Sequence, residues 1–175
     1  MRYGRARLAI VLTGLLAFVL SARPLSPAER AFTKIQSLVG DWGGKDDHGM
    51  VVKTNFKVIA ANTAVMETLS MHGMEEMVTL YSIDGNSISL IHYCPTKNQP
   101  HMEVVPPPDP IRELVFEFKD ARNLPSLATG HEQKLVLLFE DTDHITETWT
   151  WRRDGHDSPA TFHFIRKKTG SAPGK

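Results

Sequence analysis

From Gly40 onward, hydrophobic and polar residues alternate along this chain with a period of two, the spacing of β-strands that bury one face. Asp84-Gly85-Asn86 and Asp154-Gly155 separate neighbouring runs and are typical of tight hairpins. Together with a strand that carries Trp42, the alternation predicts nine or ten short antiparallel strands. The runs cover residues 51–58, 63–72, 76–83, 87–94, 101–105, 111–119, 133–140, 144–153 and 160–168.

One helix is predicted before these strands. Ser26 is a suitable N-cap and Pro27 fits the first helical position. An apolar stripe then runs from Phe32 to Val39, and Gly40 is expected to end the helix. Because many short strands joined by short hairpins favour a barrel, the sequence predicts an all-β fold. The predicted fold is a single antiparallel up-and-down β-barrel of about 8–10 strands, preceded by a short N-terminal helix.

Two segments interrupt the alternation. Pro106–Pro110 is rich in proline, which cannot donate hydrogen bonds to a sheet, so it predicts a rigid connection and is a candidate docking element. Residues 120–131 are expected to form a longer loop, able to cover a barrel mouth.

The N-terminal segment has the organisation of an export signal. Three arginines precede an uncharged run from Leu8 to Leu20, which is too short to cross a bilayer, since that takes about 20 residues. We expect an exported protein, periplasmic or extracellular, with no membrane span after signal removal. The predicted organisation is a signal peptide at residues 1–22, a barrel domain at residues 26–168 and a disordered tail at residues 169–175.

Composition narrows the function classes. The 175 residues are 41% hydrophobic and 23% charged, which suits a packed core. Basic and acidic side chains both number 20, so the charge predicts no nucleic-acid partner. Cys94 is the only cysteine, which excludes an intramolecular disulfide framework and a multi-thiolate zinc site.

The string Gly40-Asp41-Trp42-Gly43-Gly44, followed much later by Arg166, resembles the barrel-closure signature of the calycins. That superfamily includes lipocalins, fatty-acid-binding proteins and nitrobindin-like haem proteins. The resemblance implies a calycin-like, lipocalin-like barrel in which Gly40, Trp42 and Arg166 close one end, the guanidinium stacking on the indole. The stretch from Met77 to Pro100 also resembles an uncharacterised exported bacterial family of this fold, whose members have no assigned activity.

The alternation also predicts which polar residues face the barrel interior. Three threonines occupy one face of residues 144–152, so the tryptophans of that strand face inward together with Glu147. An unpaired carboxylate in such a place costs several kcal/mol, so each inward polar group needs a partner, a water or a ligand. The inward polar set comprises Glu67, His92, Cys94, Glu147 and Arg166.

An apolar interior with a few polar groups is typical of a small-molecule site. We therefore predict a protein that binds a small, partly apolar molecule inside the barrel, without a cofactor and with no assigned catalytic residue. Four methionines could supply an adaptable wall, namely Met66, Met71, Met74 and Met77. The predicted ligand-binding residues are Glu67, His92, Cys94, Asn98, Gln99 and Glu147, the amides lying at the expected mouth.

Other readings of the same residues stay open. His92 and Cys94, with His101, would give zinc three donors. Haem is suggested by the G-x-W-x-G pattern of nitrobindin-like proteins, although no histidine here matches their axial ligand. His92 and Cys94 could also form a thiol-catalytic pair oriented by Glu67 or Glu147. Finally, a filled core with internally paired charges would leave a structural or interaction module.

Overall fold

The computed structural model of the protein describes residues 23–168, so the predicted signal peptide and tail lie outside the described residues. Within that range it contains one α-helix, one short 3₁₀ turn at Ala60–Asn62 and ten strands. The elements are α1 (Pro27–Gln36), β1 (Gly40–Asp46), β2 (Val51–Ile59), β3 (Ala64–Met71), β4 (Met77–Asp84), β5 (Ser87–Tyr93), β6 (Gln99–Val104), β7 (Glu113–Arg122), β8 (His131–Phe139), β9 (His144–Arg153) and β10 (His156–Arg166).

The ten strands form one closed antiparallel barrel. Each strand pairs with its neighbours in sequence, and β1 pairs with β10 to close the sheet. The closing register runs from Trp42 opposite Arg166 to Asp46 opposite Phe162. The predicted all-β fold, a helix followed by an up-and-down barrel, is thus confirmed. Within residues 23–168, no helix has the length and apolar character needed to cross a bilayer.

The helix α1 begins where its sequence predicts. Ser26 Oγ accepts a hydrogen bond from Glu29 N at 3.2 Å, and Glu29 Oε2 accepts one from Ser26 N at 2.7 Å, forming a capping box. Pro27 occupies the first helical position, where its missing N–H has no partner to lose. The face that packs on the barrel end buries Ala28, Ala31, Phe32 and Ile35.

The helix ends earlier than the apolar stripe predicts. Its last residue is Gln36, Leu38 is buried in the connection, and Val39 is 45% exposed. Gly40 is the first residue of β1 and has a φ of +124°, a conformation that a side chain makes costly. Gly40 therefore turns the chain into the barrel and does not itself cap the helix.

The end of the barrel beneath α1 is closed by Trp42 and Arg166. Trp42 is 1% exposed and its Nε1 donates to the carbonyl oxygen of Leu38 at 2.8 Å. The Arg166 guanidinium carbon lies 4.1 Å from the centre of the indole ring. Its nitrogens donate to the carbonyl oxygens of Ser37, Val39 and Thr142 at 2.9–3.0 Å.

The second glycine of the G-x-W-x-G pattern is required by close strand packing. A Cβ built on Gly44 would lie 1.8 Å from the backbone oxygen of His163 on β10. Any larger residue would push β1 and β10 apart at the seam that closes the barrel. The glycine pattern therefore has a structural cause that does not depend on a ligand.

Inward and outward faces follow the predicted alternation. The strand that carries Ile145, Glu147 and Trp149 buries all three side chains, each at most 4% exposed. On β5, His92 faces inward at 1% exposure while the neighbouring Tyr93 is 44% exposed. The interior beneath the cavity described below is filled by large side chains, including Trp42, Phe56, Tyr81, Phe116 and Phe164.

The last strand is longer than predicted. β10 begins at His156, directly after the Asp154-Gly155 turn, and contains Pro159. The proline is tolerated because β1 ends opposite Phe162, so residues 156–161 pair with β9 alone. One edge of β10 is consequently unpaired at the end of the barrel opposite α1.

Candidate functional site

A cavity of about 330 Å³ opens at the end of the barrel opposite α1. Its wall is mostly apolar, and its mouth includes exposed residues of the β3–β4 and β5–β6 turns and of β10. The interior is therefore partly filled and partly hollow, with the hollow part at the open end. The wall consists of Leu69, Met71, Met74, Met77, His92, Cys94, Pro95, Thr96, Glu132, Trp149, Trp151, Ser158, Ala160 and Phe162.

His92 is the deepest polar residue of this wall. Its Nδ1 lies 3.0 Å from Thr79 Oγ1, and its ring packs against Trp149 with the ring centres 4.7 Å apart and the planes tilted by 45°. Its Nε2 is buried and has no hydrogen-bond partner within the described residues. Burial lowers the pKa of His92 to about 4, so the imidazole is neutral near pH 7.

Glu132, at the start of β8, is the second polar group of the wall without a partner. Its Oε2 is buried and no donor reaches it within residues 23–168. Burial raises the pKa of Glu132 to about 7, so the carboxyl is partly protonated at neutral pH. The cavity thus presents two unsatisfied polar atoms, His92 Nε2 and Glu132 Oε2, in an otherwise apolar surface.

Two further carboxyl groups lie in the interior but not on the cavity wall. Glu67 accepts hydrogen bonds from Thr54 at 2.8 Å and from Tyr81 at 2.7 Å. Glu147 accepts one from Trp149 Nε1 at 3.0 Å. Both carboxyl groups are fully buried and neither lines the cavity, so the predicted ligand-binding residues Glu67 and Glu147 do not face it.

Burial disfavours the charged form of both carboxyl groups. Burial raises the pKa of Glu67, and burial together with the charge of Glu67 raises that of Glu147 well above its usual range. Glu147 is therefore protonated at neutral pH, next to Glu67. The hydroxyl of Tyr81 stays neutral because burial raises its pKa as well. The result is a buried polar group beneath the indole of Trp149, in which Glu147 Oε1 has no hydrogen-bond partner within the described residues.

The structure does not assemble the Cys94–His92 catalytic arrangement. Cys94 lies half-buried on the wall, and no hydrogen bond joins its sulfur to His92 within the described residues. His92 is oriented by the hydroxyl of Thr79 and not by Glu67 or Glu147. A neutral imidazole in this place cannot stabilise a thiolate as an imidazolium would.

The three-donor zinc arrangement is not formed either. His101 lies on the outer face of β6, where its ring contacts Ser89 and Asp120, whereas His92 and Cys94 face inward. Successive side chains of β6 face opposite sides of the sheet. Met102 and Val104 fill the interior, so His101 points outward. Among residues 23–168, no three His, Cys, Asp or Glu side chains are grouped to hold a metal.

Asn98 and Gln99 contact neighbouring loops and do not line the cavity. Asn98 Nδ2 donates to the carbonyl oxygen of Gly130 at 2.9 Å, tying the β5–β6 turn to the β7–β8 connection. Gln99 bonds to Lys97 and Asn123. The connection itself spans only residues 123–130 and contributes no wall residue, so it does not cover the mouth as predicted.

Of the four methionines predicted for the wall, three line it. Met66 lies on the outer face of β3, between the inward-facing Val65 and Glu67, whereas Met71, Met74 and Met77 follow the β3–β4 hairpin along the cavity.

The wall residue that sequence reasoning missed is Glu132. The β8–β9 register shifts between Glu132 and Lys134, so one extra residue inverts the alternation there. Counting back by twos from the buried Leu135 places Glu132 outside the barrel, whereas the bulge turns it inward opposite Trp151. A charged residue next to a turn gives no signal of such a bulge.

Comparison with known proteins supports the fold alone. No protein-family model matches the chain, and no curated protein matches its sequence. It is similar in structure to a protein of unknown function from the DUF3598 family of Nostoc punctiforme, with a TM-score of 0.52 and 13% sequence identity. The match covers 76% of this chain and 48% of that protein, so the chain spans about half the length of its structural relative.

Proposed function

We propose that this protein binds a small, partly apolar molecule in the cavity at the open end of the barrel. His92 Nε2 and Glu132 carry the proposal, because both place buried polar atoms without partners on a shared apolar wall. Leaving such atoms unpaired costs about 1–3 kcal/mol each, and a bound polar group removes that cost. A calycin relationship and export through residues 1–22 are part of the same proposal.

The wall indicates the class of molecule. Trp149, Trp151 and Phe162 offer flat apolar surface, which suits a planar or short-chain body. The neutral imidazole and the partly protonated carboxyl are both able to donate or accept a hydrogen bond. The ligand therefore has an apolar body and one uncharged polar group, such as a hydroxyl, amide or carboxylic acid, directed between His92 and Glu132.

The first test is native mass spectrometry of the protein purified from its own host. We expect a co-purified molecule that is released on unfolding and that an environment-sensitive naphthalene dye displaces. Because Trp149 and Trp151 line the cavity, dye binding should also quench their fluorescence. A protein that carries no molecule and binds no dye contradicts the proposal.

A cavity-filling variant makes the test specific. Ala160→Phe adds an aromatic ring to the wall, and we expect it to weaken dye binding at least tenfold. Ile165→Phe is the matched control, since it lies on the same strand but faces solvent at 56% exposure. Equal dye affinities for the two variants would place the bound dye outside this cavity.

A further inference from the structure

Five side chains with soft or borderline donor atoms meet on one side of the cavity. Met71 ends β3, Met74 lies in the following turn and Met77 begins β4, so the three thioethers follow the hairpin from the mouth inward. Met74 is 53% exposed, whereas Met77 is 6% exposed. His92 and Cys94, both on the same wall, complete the group.

Strand register places three of these donors side by side. Val78 lies opposite Tyr93 and Thr79 opposite His92. Continuing this register by one step would place Met77 beside Cys94, which directly follows β5, and both residues line the cavity. Side chains opposite each other on one face of an antiparallel pair have Cβ atoms about 5 Å apart, and diagonal neighbours are about 7–8 Å apart. One ion can therefore contact Met77 Sδ, Cys94 Sγ and His92 Nε2 together.

His92 is already prepared as a ligand. Thr79 holds Nδ1 at 3.0 Å, which orients the ring, and Nε2 is buried without a partner. Metal-binding histidines commonly use one ring nitrogen for the metal while the other is fixed by a hydrogen bond. The free nitrogen therefore points to a ligand independently of the sulfur atoms.

We propose that Met77, Cys94 and His92 form a binding site for a soft monovalent metal ion, Cu(I) or its redox-inert analogue Ag(I). Thioether and thiolate sulfur select soft ions, and imidazole suits copper. Binding replaces the Cys94 thiol proton, which passes to solvent, so one positive ion meets one thiolate and two neutral donors. The resulting complex has no net charge, as an apolar wall requires. A divalent ion would leave one positive charge uncompensated.

Met71 and Met74 extend the thioether row from the buried site to the solvent. Met74 is exposed and Met71 is half-buried, and both offer weaker sulfur contacts along the path by which an ion enters. The metal site and the proposed organic ligand both use the free Nε2 of His92, so the two would compete for that atom.

The test is titration of the full chain with Ag(I), and with Cu(I) under anaerobic conditions against a colorimetric Cu(I) chelator. We expect one ion per chain by native mass spectrometry and release of one proton per ion at pH 7. Met77→Leu and Cys94→Ser should each weaken binding at least tenfold. Zn(II) at the same concentration should not displace Ag(I).

Met66→Leu is the matched control, because Met66 is a methionine of β3 outside the cavity. The affinity of this variant for Ag(I) should equal that of the unaltered protein. Unchanged binding in both Met77→Leu and Cys94→Ser, or displacement by Zn(II), would overturn the proposal. Met77→Leu conserves volume, so it should still bind the naphthalene dye. Loss of metal with retained dye binding thus separates this site from the proposed function.

Discussion

At the end of the barrel beneath α1, Trp42 Nε1 and the Arg166 nitrogens all donate to backbone carbonyl oxygens. At the opposite end, His92 Nε2 and Glu132 Oε2 are buried and have no partner within the described residues. The two ends of one sheet thus differ in whether their buried polar groups have hydrogen-bond partners. Polar side chains are paired with the backbone at the closed end, whereas two polar atoms of the cavity wall have no partner.

The largest effect should come from breaking the closed end. Trp42→Ala removes a buried indole and its contact with Arg166, and we expect it to lower the free energy of unfolding by about 3–5 kcal/mol. Chemical denaturation followed by circular dichroism measures the loss. Trp151→Ala is the matched change at the open end, where the half-buried ring should cost less than about 2 kcal/mol. Equal losses would contradict the division between the two ends.

The unpaired groups at the open end should make the free energy of unfolding depend on pH. The pKa of Glu132 is about 7 in the folded protein and near 4.5 when unfolded, so its ionisation reduces stability as pH rises between those values. Glu132→Gln lacks this loss. Relative to the unaltered protein, the variant should therefore gain up to about 3 kcal/mol between pH 4.5 and 7.

The contribution of His92 to the free energy of unfolding should change with pH in the opposite direction. Its folded pKa is about 4 and its unfolded value near 6.5, so its contribution is lost as pH falls from 6.5 towards 4. His92→Gln should gain relative stability over that interval, again by up to about 3 kcal/mol. Denaturation midpoints measured across pH check both variants. Curves parallel to that of the unaltered protein would mean that these groups are solvated when folded.

The smallest effect is expected at the buried carboxyl pair. Glu147→Gln preserves an oxygen that accepts from Trp149 and leaves an uncharged group next to Glu67, as the protonated acid does. We expect its free energy of unfolding at pH 7 to change by less than about 1 kcal/mol. Glu67→Gln should cost more, because Glu67 accepts from both Thr54 and Tyr81. The reverse order would assign the proton to Glu67.

Most of the fold could be predicted from the sequence because the barrel repeats one rule. Alternation with a period of two identifies the inward side chains, and it places Glu67, His92 and Glu147 inside as observed. The start of β10 was not predictable, since Pro159 is compatible with a strand only where a neighbour is missing. That absence is a property of the closed sheet and not of the local sequence.

The candidate site was less predictable for a similar reason. His92 and Cys94 follow the strand rule, but Glu132 enters the wall through a bulge, and Asn98 turns to a loop carbonyl 32 residues away. Glu67 and Glu147 face inward as predicted, yet they bond to Thr54, Tyr81 and Trp149 and do not line the cavity. Facing inward is a local property, whereas partner choice depends on contacts between distant strands.

The unpaired stretch of β10 has a consequence for how the protein behaves in a crowded solution. An exposed strand edge invites a second chain to add its own strand, which leads to aggregation. Here that margin carries Asp157, bonded to Arg152, and Pro159, which has no N–H to offer a newcomer. The open end of the barrel can therefore keep an unpaired strand edge that does not readily pair with a strand of another chain.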